Sequence, residues 1–281
     1  MNRSSRNAIL CPNCRKLINS DEKRCPYCGL LTPGSKLRNN PLTRHWGNGE
    51  QLVKMIIYAN IAMYLLSLLL NPRMAGLGFN PLNVLSPSID SLAALGATGV
   101  WLVNKTQGWW TLLTANYLHG SILHIVFNLF ALYQISPLIS QLYGPYRYFI
   151  IFTFSGVIGF WISILAGVQI TIGASAALCG LIGAALYFGK SRGGPFGQAV
   201  YKQIGGWALS ILIFGFLLPR INNWAHIGGM VAGALAGFLL GYREKRRENT
   251  LHRWLAGGLV ALTALALVWG IIRGFVFWIG R

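Results

Sequence analysis

Ser175 stands in "ITIGASAALCGLIGAALYFG", residues 170–189, where Gly173, Ala174, Ala176 and Gly180 leave room for another helix to come close. A hydroxyl in such a setting is a nucleophile only if a neighbouring base takes its proton. Between Asp90 and Glu244 the chain has no carboxylate, yet that stretch holds three of its five histidines, His119, His124 and His226. His226 lies in "NNWAHIGGMVAGALAGFLLG". "LHGSILHIVFNLF" carries His119, His124 and Asn128, and the last two, four residues apart, share one helix face. Ionisable groups in apolar spans are costly and mark function. The chemistry on offer is acyl transfer by a Ser175–His226 dyad without an acidic third member. His124, Asn128 and the Ser175 backbone N–H would be donors to a developing oxyanion. Taken singly, each residue has a plainer use: the serine in helix packing, the asparagine as interhelical glue, a histidine lining a polar pathway.

A second cluster lies near the N-terminus. "CPNC" at 11–14 and "CPYCG" at 25–29 form two Cys-Pro-x-Cys knuckles. Cys11, Cys14, Cys25 and Cys28 match a closed tetrahedral zinc site, which leaves no open position for catalysis. The expected metal is a structural zinc that supplies the folding energy a head this small cannot draw from its own core. Reduced cytosolic thiols disfavour disulfides here. A cytosolic partner for the head is expected, of unknown identity.

The elements that must position these groups are membrane helices. Of 281 residues, 54% are hydrophobic and 11% charged, against roughly 25% charged in soluble domains. Apolar runs predict seven spans, at about 52–70, 111–132, 147–166, 170–189, 206–218, 223–242 and 254–277. No cleavable signal peptide is evident in the polar, basic start. The net charge of +18 concentrates before the first span and at Arg243, Lys245, Arg246 and Arg247. That distribution sets topology and does not point to nucleic acid. The head is expected in the cytoplasm, the basic loops including that around Arg147 on the same side, and the C-terminus outside. A bacterial plasma membrane is the expected setting.

Depth and packing favour a meeting of the polar residues. Spans four and six run the same way, and Ser175 and His226 fall within a few residues of the same end. Gly229, Gly233, Gly237 and Gly241 recur every four residues, as do Ala176, Gly180 and Ala184. Such small-residue faces let two helices approach closely. The loop 71–110, with Pro72, Pro81 and Pro87, is long enough to carry structure of its own, and Trp101, Trp109 and Trp110 suit the lipid–water interface.

At this point the chain resembles the rhomboid family of intramembrane serine proteases. "GASA" at 173–176 is similar to the family's Gly-x-Ser-Gly nucleophile motif, "AHIGGMVAG" at 225–233 to its histidine helix, and "HGSILHIVFN" at 119–128 to its His-x4-His-x3-Asn pattern. "GWWTLLTANYLHG" at 108–120 resembles the stretch entering span two. The resemblance covers about 52–242. It implies an all-α polytopic bundle of six helices, here with one C-terminal helix added and a small zinc-ribbon domain in front. The expected division is 1–34 head, 35–50 linker, 51–243 membrane domain, and 244–281 basic loop and seventh span. It also implies cleavage of transmembrane or membrane-anchored substrates within the lipid bilayer by Ser175 and His226, with no cofactor for the chemistry. Substrates would approach sideways between spans two and five. Three positions depart from the family pattern: Ala176 for a glycine, Cys179 for an aromatic that supports the histidine, and Thr111 for an arginine that orders the first loop. These departures motivate an alternative, a rhomboid-like pseudoprotease that binds transmembrane clients without cutting them.

Overall fold

The computed structural model describes residues 8–12, 16–27, 29, 32–35, 49–70, 84–106, 108–218 and 221–280. The chain divides into two units, 1–52 and 53–281.

In the first unit, β1 (Ala8–Leu10) pairs antiparallel with β2 (Leu17–Asn19), Ile9 opposite Ile18. The Cys11 N–H donates to the Lys16 carbonyl at 2.8 Å and closes the turn between them. Cys11 and Cys25 are buried together against Ile18. Cys14 and Cys28 lie outside the described residues, as does most of the expected 35–50 linker. Among the described residues no group of three or more His, Cys, Asp or Glu gathers.

The second unit is helical. In chain order it has α1 (Gly49–Leu69), α2 (Ile89–Leu95), α3 (Val100–Thr106), α4 (Thr111–Thr114), a 3₁₀ turn (Ala115–Tyr117), α5 (Ile122–Tyr143), α6 (Pro145–Leu165), α7 (Ser175–Arg192), α8 (Gly194–Leu217), α9 (Asn223–Leu240) and α10 (Thr250–Ile279). Among the described residues six helices are long and apolar enough to cross a membrane: α1, α5, α6, α8, α9 and α10. The expected fourth span, α7, falls outside that set because it ends in Lys190 and Arg192. Its place explains why it needs no lipid-compatible surface: α5, α6, α8 and α9 all pack against it, and Ala176 through Ala185 are buried without a break.

Several boundaries move from where hydropathy put them. The expected second span, 111–132, is two pieces. Leu118 is extended at φ −102°, ψ 146°, and the long helix starts only at Ile122, capped by the Ser121 hydroxyl accepting from the His124 N–H at 3.3 Å. The break falls at His119–Gly120–Ser121, inside the expected span, and Pro137, inside α5, does not end the helix. The fourth helix starts at Ser175, because residues 168–171 form backbone hydrogen bonds with 98–100, Thr171 and Thr98 as an isolated β-bridge. The fifth, α8, begins at Gly194, about a dozen residues before the apolar stretch. Gly241 is the C-cap of α9 at φ +69° and takes no part in a helix seam. Arg147, expected in a basic loop, is fully buried in α6. Its guanidinium donates to the Gly241 and Arg246 carbonyls, both at 2.7 Å. Glu248 accepts the N–H groups of Tyr146 and Arg147 at 2.9 and 3.0 Å, which satisfies donors left open at the α6 N-terminus. The segment 84–110 carries α2 and α3, as its length suggested; Pro72 and Pro81 lie outside the described residues.

The seam between α7 and α9 is backbone against backbone. A Cβ built at Gly229 would lie 2.2 Å from the Ala176 carbonyl oxygen, and one at Gly233 would lie 1.9 Å from that of Gly180. At Gly237 the nearest seam atom is the Ala184 Cα at 3.3 Å. The four-residue repeats therefore interlock in register, 229 with 176, 233 with 180, 237 with 184. Helix α6 closes the third side: Gly159 faces the Ala225 carbonyl, and Ser155 fills the space beside Gly180.

Candidate active site

One glycine-dependent turn and one cap set the positions of the site residues. Gly173, at φ +118°, directs the chain from the bridged segment into α7, so Ser175 is the first helical residue. The Gly173 N–H donates to the Ala115 carbonyl at 2.9 Å, and Thr98 and Thr171 exchange backbone hydrogen bonds of 3.2 and 2.7 Å. On the other side of the seam, Asn222 caps α9, its side-chain oxygen accepting from the Ala225 N–H at 3.2 Å. The Asn222 amide donates in turn to Ser163 on α6 and, at 3.0 Å, to Thr171. One side chain thus ties the start of the histidine helix to the segment that delivers the serine.

Ser175 Oγ and His226 Nε2 are 2.8 Å apart. Ser175 is partly exposed, whereas His226 is buried. Among the described residues His226 Nδ1 has no hydrogen-bond partner, so no carboxylate completes a triad. His226 is held instead by the cap at Asn222 and by the glycine seam beneath it.

His124 lies in the first turn of α5, not deep in a span, because that helix begins at Ile122. A Cβ on Gly173 would be 2.6 Å from His124 Nε2 and 3.8 Å from Ser175 Oγ, so the imidazole edge and the hydroxyl flank the same glycine. The Gly120 N–H donates to His124 Nδ1 at 3.3 Å. In the neutral ring the proton is therefore on Nε2, which makes that edge a donor. Asn128, buried one turn further along α5, donates through its amide to the His124 carbonyl at 2.8 Å. The structure thus brings Ser175, His226 and His124 together, with Asn128 supporting His124 from the next turn. His119 is fully buried, its ring edge-on to His124 with centroids 4.9 Å apart.

Two of the three departures find a local answer. Ala176 is fully buried, and its methyl group faces Gly159, where an added Cβ would come within 3.1 Å. Thr111 ties the first loop by hydrogen bonds, donating at 2.6 Å to the Gly108 carbonyl and 3.0 Å from Thr98 Oγ1. Cys179 is fully buried among the apolar residues of α7 and leaves the His226 ring without an aromatic neighbour among the described ring pairs. Sequence reasoning passed over Asn222 and the Thr98–Thr171 pair. "NN" before an apolar helix is a cap signal that could have found the first; a two-residue backbone bridge leaves no pattern.

The arrangement can pass a proton from the Ser175 hydroxyl to an imidazole while a second imidazole presents an N–H nearby. Comparison with known proteins bears on the family. The rhomboid-domain family profile matches residues 106–243. The chain is 33% identical over 156 residues to rhomboid protease GluP of Bacillus subtilis (strain 168), covering 56% of this chain and 31% of that protein. It is 29% identical over 256 residues to RHOMBOID-like protein 4 of Arabidopsis thaliana, covering 80% and 64%. With RHOMBOID-like protein 2 of the same plant it shares 31% identity over 242 residues, covering 73% and 72%. The chain spans less than two thirds of the length of GluP and of RHOMBOID-like protein 4. Six apolar helices and a match across most of RHOMBOID-like protein 2 identify an integral, multi-pass membrane protein, and this chain belongs to the rhomboid family.

Proposed function

We propose that this chain is an intramembrane serine endopeptidase that cleaves transmembrane or membrane-anchored proteins, with Ser175 as nucleophile and His226 as general base. The observation that carries the reading is the 2.8 Å hydrogen bond between Ser175 Oγ and His226 Nε2 at the end of a glycine-locked seam. Ser175 Oγ attacks the scissile carbonyl carbon as its proton passes to His226 Nε2. The carbonyl oxygen becomes an oxyanion beside the His124 Nε2–H and the Ser175 N–H, at the positive end of α7. Asn128 holds His124 and is the further donor from the same face. The His226 imidazolium then protonates the departing amine, and water, deprotonated by the same ring, hydrolyses the acyl-enzyme. The substrate must unwind locally, because a regular membrane helix hides its peptide carbonyls.

The basic residues of the head and of 243–247 put both on the cytoplasmic side, with Ser175 toward the exterior leaflet and the C-terminus outside. The head is a zinc ribbon. Cys11 and Cys25 are buried in one cluster, as convergence of two thiolate knuckles requires, and with Cys14 and Cys28 they would make up the four thiolates that bind the metal. The zinc supplies folding energy to the head and no chemistry to Ser175. About one zinc per chain is expected by elemental analysis, lost in Cys11→Ser; zinc retained in that variant would contradict the ribbon.

Reconstitution with a single-span protein substrate tests the proteolysis. New termini inside or beside the span are expected by mass spectrometry, absent with Ser175→Ala. An intact substrate that still co-purifies with the wild type would favour client binding without cleavage.

A further inference from the structure

The added C-terminal helix, α10, touches the segments that hold the bridged chain leading to Ser175. Its buried residues, including Ala266, Gly270 and Gly274, line one face. A Cβ at Gly270 would lie 2.5 Å from the Leu95 carbonyl oxygen and 3.4 Å from Trp110 Cζ3. One at Gly274 would lie 2.9 Å from the Leu95 side chain. Between these glycines, Arg273 carries its guanidinium carbon 5.6 Å from the centre of the Trp110 ring. Gly96, at φ +100°, approaches the same ring edge, where an added Cβ would come within 2.4 Å of Trp110 Cζ3. The half-buried Trp110 ring is therefore contacted by Gly96, Gly270 and a cation.

From Trp110 the contacts lead directly to the serine. Trp110 precedes α4, whose Thr114 hydroxyl donates to the Gly96 carbonyl at 2.7 Å. Thr111 of the same helix bonds Thr98, and Thr98 pairs with Thr171. The next residue after α4, Ala115, accepts the N–H of Gly173. Every link is a packed contact or a hydrogen bond, and the last lies two residues from Ser175.

We propose that α10 braces the active site, with Arg273 as a positioning residue that holds Trp110, and through it residues 96–98, against the segment 168–173 that presents Ser175. This rests on the reading of Ser175 as the nucleophile. An arginine over an indole is attracted by the ring face, and the Trp110 side chain loses that restraint when the cation is removed.

The test uses the full chain in lipid nanodiscs, with Arg273→Ala, Arg273→Lys, and Arg253→Ala at the opposite end of α10 as a control. Two readouts are taken: the rate of fluorophosphonate labelling and amide hydrogen exchange of residues 96–99 and 168–173. Arg273→Ala should slow labelling about 3- to 10-fold, on the order of one cation–π contact, and speed exchange in both segments at unchanged thermal midpoint. Arg273→Lys should restore most of both, and Arg253→Ala should alter neither. Wild-type labelling and wild-type exchange in Arg273→Ala would overturn the brace. So would a loss accompanied by global melting that lysine does not rescue. If the wild type itself is not labelled, the proteolytic reading fails, and the exchange measurement alone decides whether α10 restrains these segments.

Discussion

Gly229→Ala is the most informative single methyl group that can be added to this molecule. Its Cβ would lie 2.2 Å from the Ala176 carbonyl oxygen, whereas ordinary contact begins at 3.4 Å. The seam must therefore open by about 1.2 Å at a point one residue past Ser175 and less than one turn past His226. If that opening reaches the dyad, the 2.8 Å hydrogen bond stretches to about 4 Å, beyond bonding range. A misplacement of about 1 Å costs roughly 10²-fold in rate. Stability responds less, because overpacking at about 1–3 kcal/mol is partly offset by the roughly 1 kcal/mol helical advantage of alanine over glycine. The assay is the fluorophosphonate labelling rate beside the thermal midpoint, with Gly258→Ala on α10, where an added Cβ meets nothing within 4 Å, as control. A Gly229→Ala protein labelled at the wild-type rate would refute the claim that backbone contact across this seam sets the dyad distance.

The other expectations concern the loop before the serine and the clasp at the far end of α6. Gly173→Ala forces a Cβ to 2.6 Å from His124 Nε2 at a positive φ, and should reduce cleavage by about 10²-fold or more by straining the turn that delivers Ser175 and displacing His124; unchanged cleavage would contradict the role of this turn in setting the site. Burial pushes the Glu248 carboxyl above its ordinary range, against the opposing pull of the Arg147 and Tyr146 N–H groups and of the Arg147 charge. The folded state then binds that proton more readily than the unfolded chain. This contribution to stability falls as pH rises from about 4.3 through the folded pKa, and the cost is complete above it. Glu248→Gln should therefore flatten the thermal midpoint against pH over that window, and an unaltered slope would assign it to other groups.

Much of the site was legible because two kinds of pattern are local. The four-residue spacing of Gly229, Gly233 and Gly237 against Ala176, Gly180 and Ala184 fixes a close helix pair, and close pairing determines which polar residues meet. The scarcity of carboxylates left His226 as the base. What hydropathy could not show was where apolar chain stops being helix. Residues 168–174 stay largely apolar, and 111–121 mix apolar residues with Asn116, His119, Gly120 and Ser121, yet both turn and form backbone hydrogen bonds that any side chain permits. This shifted α5 by about eleven residues and put His124 beside Gly173, which resolves its depth. The burial of Arg147 was likewise not visible: a basic residue near a span end reads only as a topology signal, and here three groups, the Gly241 and Arg246 carbonyls and the nearby Glu248, make burial tolerable. Helix α7 was read as a span from its sequence, whereas its burial shows a helix lined mostly by protein.

The central claim is that one serine is made nucleophilic by one histidine across the α7–α9 seam. The most direct measurement is site mapping of a fluorophosphonate adduct by mass spectrometry on the full-length protein. A single adduct on Ser175 is predicted, lost in Ser175→Ala and strongly suppressed in His226→Ala. An adduct on another residue, or undiminished labelling without His226, would contradict the account.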